Sequence, residues 1–322
     1  MKTKIGYFTI TDAWTPNQCL QQSIAAEKVG FDSLWVEDHL IAMPGGTECN
    51  FAWTVMSSAL QATKQVPFYT GVTAPIMRYH PAIVAQAFAT MGAMYPGRVG
   101  LGVGTGEPPN EMAVSRGEWP SNLARLEMLE EALTVMNRLW TSDEPISHAS
   151  KYYTLNDAVL LTKPEKKIPV YVSAIGPRAA DLAGRLGDHL ITIANNPSYV
   201  RDELLPAFEA GARAAGKDPE TMERVGHFSL IHDPDQVVRP EDLQQDAGTI
   251  QGGALARAMS SGPIFISHDA EDFIRKIEEY KRMGFNHLAI ADASLLQKKH
   301  SRLPFYGDAS LAIWKDVLPH IR

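Results

Sequence analysis

The chain has 322 residues, with 45% apolar and 21% charged side chains and a formal net charge of −7 at pH 7. Such a composition is ordinary for a globular protein, and the length suits one large α/β barrel or two average domains. The acidic balance and the lack of basic runs argue against a nucleic-acid partner, and no apolar run of about 18 residues predicts a membrane span. Cys19 and Cys49 have neither the spacing of a disulfide framework nor that of a metal site, so we expect reduced thiols in a cytoplasmic protein.

Short apolar runs alternate along the chain with amphipathic stretches, and this alternation predicts strands and helices in turn. The predicted strands are residues 4–8, 33–37, 68–73, 98–103, 169–173, 189–193, 225–231 and 286–291. The predicted helices are residues 17–29, 54–63, 81–94, 122–140, 178–186, 199–215, 270–283 and 308–321. Each polar cluster follows a strand, which is typical of parallel βα units.

Eight strands alternating with helices over about 300 residues predict a (β/α)8 TIM barrel with insertions. A doubly wound open sheet is the alternative. We expect a single domain over residues 1–322, with excursions from the barrel near 141–167 and 233–262. Short extra strands are possible at 152–155 and 159–161 in the first excursion.

Residues 95–111 combine a buried strand with a glycine-rich loop, Gly104-Thr105-Gly106-Glu107, at its carboxyl end. The glycines leave the backbone free to wrap a ligand, although a tight turn that serves only packing is the alternative. The segment is not a dinucleotide fingerprint, because its glycines alternate and Pro108-Pro109 follow where a helix should open. It is not a phosphate-binding P-loop either, because no Gly-Lys-Ser/Thr ends it.

In a TIM barrel the active site forms at the carboxyl ends of the strands. His39 follows the second strand and is the best acid–base candidate, because imidazole titrates near neutral pH. Asp38 could hold the imidazole or point away from it, since neighbours along a strand face opposite sides. No metal-ligand spacing occurs, so we expect no metal site.

Three segments taken together, residues 33–39, 75–91 and 95–107, resemble the bacterial-luciferase-like superfamily, in particular its branch that uses the deazaflavin coenzyme F420. The resemblance is good over residues 1–234 and weak beyond them. It implies a luciferase-like TIM barrel, a coenzyme F420 cofactor and a homodimer. FMN is the alternative cofactor.

The resemblance also implies roles for individual residues. His39 matches the catalytic histidine and Glu107 a glutamate paired with it across the deazaflavin. Gly71-Val72 matches a bulge with a non-proline cis peptide behind the coenzyme ring. The full set of implied coenzyme-binding positions is Asp38, Gly71, Val72, Ala74, Thr105, Gly106, Asn110, Ile175, Gly176, Arg178 and Ala179.

The implied substrate pocket departs from its relatives. Its residues are Asp12, Met43, Ile193 and Asn196. Branch members that act on glucose 6-phosphate hold the phosphate with threonine, lysine and arginine, where this chain has Ile193, Asn196 and Gly262. A phosphate ester would therefore bind poorly. Asp12 replaces a glutamate and Met43 a tryptophan, which predicts a reshaped pocket.

The expected function is hydride transfer between the deazaflavin C5 and a carbinol or carbonyl carbon of a secondary alcohol or sugar-like substrate. The alternatives are reduction of a C=C or C=N bond with the same reduced coenzyme, an FMN-dependent luciferase-like monooxygenase, and a non-catalytic coenzyme carrier. We expect a small-molecule substrate and neither a nucleic-acid nor a membrane partner.

Overall fold

The computed structural model describes residues 2–42, 46–115, 117–233, 235–236, 264–292 and 308–321. The strands are β1 (Lys4–Thr9), β2 (Ser33–Val36), β3 (Phe68–Thr70), β4 (Val99–Val103), β5 (Ile146–Ala149), β6 (Thr154–Ala158), β7 (Val170–Ser173), β8 (His189–Thr192), β9 (Arg224–His232), β10 (Ile264–Ser267) and β11 (His287–Asp292). The helices are α1 (Pro16–Val29), α2 (Ala52–Ala62), α3 (Pro81–Met94), α4 (Pro108–Met112), α5 (Asn122–Thr141), α6 (Pro177–Leu186), α7 (Leu205–Ala214), α8 (Ala270–Arg282) and α9 (Asp308–Ile321). A helical turn (Pro197–Tyr199) and a π-helical turn (Val200–Leu204) lead into α7, and a 3₁₀ turn (Pro219–Thr221) follows it.

Eight of these strands form a closed parallel barrel in the order β9-β11-β1-β2-β3-β4-β7-β8. The barrel closes because β8 also pairs with β9, with Leu190 opposite Arg224. The predicted TIM barrel and its eight strands are therefore confirmed, and the open doubly wound sheet is wrong. The buried strands read as continuous apolar runs because both of their faces are covered.

Aromatic side chains fill the interior of the barrel. Phe8, Trp35, Tyr69 and Tyr171 lie there, and the Trp35 and Tyr69 rings are 4.6 Å apart. At Gly102 a β-carbon would come within 1.9 Å of the Thr70 carbonyl oxygen, so this glycine permits β3 and β4 to approach. A second apolar layer lies between the outer face of the barrel and the helices.

Residues between α5 and β7 form an antiparallel hairpin of β5 and β6. Of the two short strands considered in this region, the one at 152–155 overlaps β6, whereas the one at 159–161 is wrong. β10 was not predicted and pairs with the carboxyl half of β9, beyond the segment that pairs with β8. Most of the predicted excursion at 233–262 lies outside the described residues.

Two further features bear on the sequence predictions. A short helix, α4, does open at Pro108, because proline is well tolerated in the first turn of a helix. None of the helices that the structure describes is both long and apolar enough to cross a membrane. The assignment of the whole chain to one domain stays a prediction.

Candidate active site

A cavity of about 720 Å³ opens at the carboxyl ends of the barrel strands. Most of the predicted site residues lie around it: Asp38, His39, Gly71, Val72, Ala74, Thr105, Gly106, Glu107, Asn110, Ile175, Gly176, Arg178, Ala179 and Ile193. Asp12 and Asn196 are not among its lining residues, and Met43 and Gly262 lie outside the described part of the chain. The roles that the resemblance implies for these residues stay predictions.

His39 is held by Asp12, which follows β1. The Nδ1 atom of His39 lies 2.9 Å from Oδ2 of Asp12, whose side chain is 3% exposed. Burial alone would lower the pKa of His39, but the hydrogen bond to Asp12 and the charges of Glu37, Asp12 and Glu107 raise it to about 9. The imidazole therefore carries a proton on both nitrogens near pH 7. Its partner is Asp12, and Asp38 makes other contacts.

Glu37 is a third ionisable group at this point, and the sequence analysis did not select it. Its Oε1 accepts hydrogen bonds from the Asp12 backbone N–H (3.0 Å) and the Thr11 hydroxyl (3.3 Å), while its Oε2 lies 4.0 Å from His39 Nδ1. Burial and the charge of Asp12 raise the pKa of Glu37 to about 7, against the opposing charge of His39. Its place directly after a buried apolar strand was the signal that could have identified it.

Asp12, Glu37 and His39 each offer one ligand atom, and these atoms lie within 4.8 Å of one another. The spacing of these residues along the chain does not predict their convergence, because the three groups come from two different strand ends. Two carboxylates beside an imidazole also form an acid–base cluster without any ion. The expected lack of a metal site stays a prediction.

Asp38 is the centre of a buried network. Its carboxylate accepts hydrogen bonds from Thr73 Oγ1 (2.6 Å) and Tyr79 Oη (3.1 Å). It also pairs with Arg78 Nη2 at 3.2 Å, and its side chain has no exposed surface. Arg78 contacts Glu111 in turn, since its backbone N–H donates to Glu111 Oε2 at 3.0 Å. Arg78 and Glu111 were not predicted as site residues, although their network joins the ends of β2 and β3 to α4.

The glycine loop after β4 is tied to the segment that carries His39. Asn110 Oδ1 accepts hydrogen bonds from the backbone N–H groups of Leu40 (2.7 Å) and Ile41 (2.9 Å). Gly106 adopts a φ of +70°, a conformation that glycine reaches without strain. Glu107, immediately after it, is exposed at the rim of the cavity. The loop therefore places a carboxylate at the same cavity as the acid–base cluster, where its charge helps to raise the pKa of His39.

The end of β3 forms another wall. The peptide bond between Gly71 and Val72 is cis, as the resemblance implied, and Thr73 then bridges to Val103 of β4. Both Gly71 and Val72 line the cavity.

The amino end of α6 faces the same cavity. Gly176 precedes the helix without a capping side chain, so the N–H groups of the first turn are not satisfied by a cap. Arg178 in that turn and Arg125 of α5 also line the cavity. Free N–H groups, the helix dipole and two guanidinium groups together suit an anion such as a phosphate.

The remaining predicted substrate residues differ in placement. Ile193 lines the cavity beyond β8. Asn196 instead caps a helical turn, accepting hydrogen bonds from Ser198 Oγ at 2.9 Å and from the Tyr199 N–H at 3.3 Å. His227 of β9 also lines the cavity.

The family model described as luciferase-like monooxygenase matches residues 3–291. The chain belongs to this luciferase-like family. Among its relatives is an F420-dependent glucose-6-phosphate dehydrogenase of Microbacterium testaceum, 32% identical over 99% of this chain and 97% of the relative. Another, with the same name, is from Amycolatopsis mediterranei and is 34% identical over 99% of this chain and 98% of the relative.

A solved structure is more similar still in sequence to this luciferase-like chain. It is an F420-dependent secondary alcohol dehydrogenase in complex with an F420–acetone adduct, 40% identical, with a TM-score of 0.86 and complete coverage of both chains. The alignment also includes the residues beyond 234, where the sequence predicted only a weak resemblance.

Proposed function

We propose that this protein is a coenzyme F420-dependent oxidoreductase that transfers hydride between the deazaflavin and a carbinol or carbonyl carbon. The observation that carries the proposal is the 40% identity, over both entire chains, to a secondary alcohol dehydrogenase bound to an F420–acetone adduct. When bound, the deazaflavin supplies a hydride donor and acceptor at its C5.

The residues around the cavity fit such a coenzyme. Gly71 and Val72 provide an apolar wall for a flat ring, and the volume of about 720 Å³ is in the range of cofactor sites. The uncapped first turn of α6, with Arg178, would hold a phosphate of the coenzyme tail. The carboxylate of Asp38 is buried and already bonded to Thr73, Tyr79 and Arg78. Asp38 would therefore support coenzyme binding by holding the surrounding backbone in place.

His39 is the proposed acid and base. Because its pKa is raised to about 9, it can donate a proton to a carbonyl oxygen near pH 7 as the carbonyl carbon accepts hydride. In the opposite direction the imidazole must first lose that proton, and it then accepts the hydroxyl proton. Glu107 at the rim would hold a proton on the coenzyme side, and Asp12 keeps the imidazole oriented.

A secondary alcohol or its ketone suits the cavity better than a phosphate ester does. Arg125 and Arg178 are the arginine or lysine residues among its described lining, and both lie at the proposed coenzyme phosphate position. Ile193 offers a phosphate no hydrogen-bond donor. The two glucose-6-phosphate relatives therefore support the coenzyme assignment more than they support that sugar phosphate as the substrate. The homodimer stays a prediction.

The test begins with titration of the purified protein with oxidised F420 and separately with FMN, followed by ring absorbance or fluorescence. We expect tight binding of F420 and weak binding of FMN; the reverse would overturn the proposal and favour oxygen chemistry with reduced FMN.

The role of His39 is tested by substitution. His39→Ala should lower turnover by at least about a hundredfold and leave F420 affinity nearly unchanged, because the imidazole moves a proton and does not hold the ring. His80→Ala is the matched control, since His80 is exposed, caps α3 and contacts the Tyr153 ring, and it does not line the cavity. Turnover in His39→Ala equal to that of the control would exclude the assignment.

A further inference from the structure

His227 is a polar group in a largely apolar part of the cavity. It projects from β9, and its ring stacks on Phe8 with the centroids 4.1 Å apart and the planes inclined by 28°. Phe8, Val72 and Ile191 line the cavity with it. None of these three side chains can form a strong hydrogen bond. Ser173, the register partner of Ile191, is another polar lining residue, so His227 supplies one of the few polar groups of this surface.

The hydrogen-bonding state of His227 follows from its partner. Nδ1 lies 2.8 Å from the carbonyl oxygen of Ala289. A carbonyl oxygen can only accept, so Nδ1 carries the hydrogen. Burial lowers the pKa of His227 to about 4, against the bond to Ala289, so the ring is neutral near pH 7. Nε2 therefore presents a lone pair, and no hydrogen bond to it is formed within the described part of the chain.

His227 also lies deeper in the barrel than the acid–base cluster. Phe8 pairs with Ala291, and Ala291 pairs with Ser229, two residues beyond His227. His39, by contrast, follows the end of β2, four positions beyond Trp35, the residue that pairs with Phe8. A substrate whose reacting carbon lies near His39 would direct its far end toward His227.

We propose that His227 Nε2 accepts a hydrogen bond from a hydroxyl or N–H group on the substrate, so that the preferred substrate is a hydroxyketone or diol and not a simple ketone or alcohol. This inference rests on the proposed oxidoreductase function and names the class of its substrate. A substrate without the second donor leaves the buried Nε2 acceptor of His227 unpaired. Such an unpaired group gives the largest difference in kcat/KM between otherwise similar substrates.

The experiment compares two matched ketones, 2-butanone and 3-hydroxy-2-butanone, as substrates for reduction by reduced F420. The quantity measured is the ratio of their kcat/KM values. In the unmodified protein we expect the hydroxyketone to be preferred by at least about tenfold, the value of one net hydrogen bond. His227→Leu should remove most of this preference, and His227→Gln, whose amide oxygen is again an acceptor, should restore part of it.

Two other measurements separate the possible failures. F420 affinity should be unchanged in both variants; if it falls while the substrate ratio is retained, His227 serves the coenzyme and the proposal is wrong. Histidine ¹⁵N NMR of the protein should show the Nε2 resonance of His227 shifting with the hydroxyketone and not with 2-butanone. If the protein binds no F420, the proposed function fails, and the NMR titration alone still decides whether His227 binds the hydroxyl.

Discussion

Asp12 and His39 come from the ends of neighbouring strands, and their contact sets the protonation of the imidazole. The two residues are 27 positions apart in the chain. The sequence analysis selected His39 from its place after a strand and considered Asp38 as its partner. Adjacent strand residues point to opposite sides, so the partner had to come from another strand. Spacing along one chain segment does not contain that information, which is why Asp12 was assigned to the substrate and not to His39.

The protonation of His39 predicts how kcat/KM depends on pH. Because His39 must be protonated to act as an acid, kcat/KM for ketone reduction should fall above about pH 9, and that for alcohol oxidation should rise toward it. Asp12→Asn removes a negative partner and lowers the pKa of His39 toward its ordinary value of 6.5, so both limbs should move to lower pH. The measurement is the pH profile of kcat/KM in both directions.

A matched control is Asp202→Asn. Asp202 has an exposed side chain and pairs with Arg201, away from the cavity. Its profile should superimpose on that of the unmodified protein. An Asp12→Asn profile that also superimposes would show that this carboxylate does not set the pKa of the working acid.

At the scale of elements, the strands were predicted to within a few residues because each barrel strand is a short apolar run bounded by polar residues. The hairpin β5–β6 was harder, since its strands are partly exposed and its residues are mostly polar. β6 therefore includes Thr154–Ala158, whereas the apolar residues at 159–161 carried the sequence signal without forming a strand. Local hydrophobicity indicates burial better than it indicates pairing.

The buried network around Arg78 joins three elements and could not be read from the sequence. Arg78 has 6% of its side chain exposed and lies between the carboxylates of Asp38 and Glu111. Burial raises the pKa of both carboxyls, and Arg78 opposes that rise. The guanidinium is thus the positive charge that keeps two buried carboxylates together beside the cavity.

Removing that charge should destabilise the fold. Arg78→Met keeps much of the side-chain volume but leaves two buried carboxylates uncompensated, and it should lower the free energy of unfolding by about 3–5 kcal/mol. Urea denaturation followed by circular dichroism measures this loss. Arg213→Met is the control, because Arg213 is 59% exposed and pairs with Glu209 on the same helix. Its effect should stay below about 1 kcal/mol; an equal effect of the two changes would contradict the assigned role of Arg78.

At the scale of the whole molecule, the strand count predicted the barrel, but closure depends on the pairing of β8 with β9, which no local pattern contains. The cavity was predictable in position because parallel strands place their carboxyl ends at one face. Its chemistry was predictable only in part. His39 was predicted from its place after a strand and Glu107 from the resemblance, whereas Glu37, Arg78 and His227 acquire their contacts from distant parts of the chain.

The opposite end of the barrel carries a second buried cluster. His287 Nδ1 lies 2.7 Å from Glu223 Oε2, and its Nε2 lies 2.8 Å from Ser33 Oγ. Tyr171 also donates to Glu223, at 2.9 Å, and Lys4 pairs with the same carboxylate. The order serine, histidine, carboxylate matches that of a nucleophilic triad. Ser33 and His287 are fully buried, however, so we assign the cluster to holding β1, β2, β7 and β11 to the residue that precedes β9.

This cluster predicts how the stability of the barrel depends on pH. Burial alone would raise the pKa of Glu223, but the bonds to His287 and Lys4 hold it well below its ordinary value of 4.5. A carboxyl with a lowered folded-state pKa stabilises the protein above its unfolded-state pKa, and this stability is lost as the pH falls below about 5. Glu223→Gln should therefore cost about 1.5–3 kcal/mol at pH 7, the value of hydrogen bonds to a charged group, and reduce the loss of stability between pH 7 and pH 4. Urea midpoints at the two pH values measure both effects. Glu220→Gln is the control, because Glu220 is 73% exposed and pairs with Arg224 at the surface; identical midpoints for the two variants would show that the cluster does not hold the barrel closed.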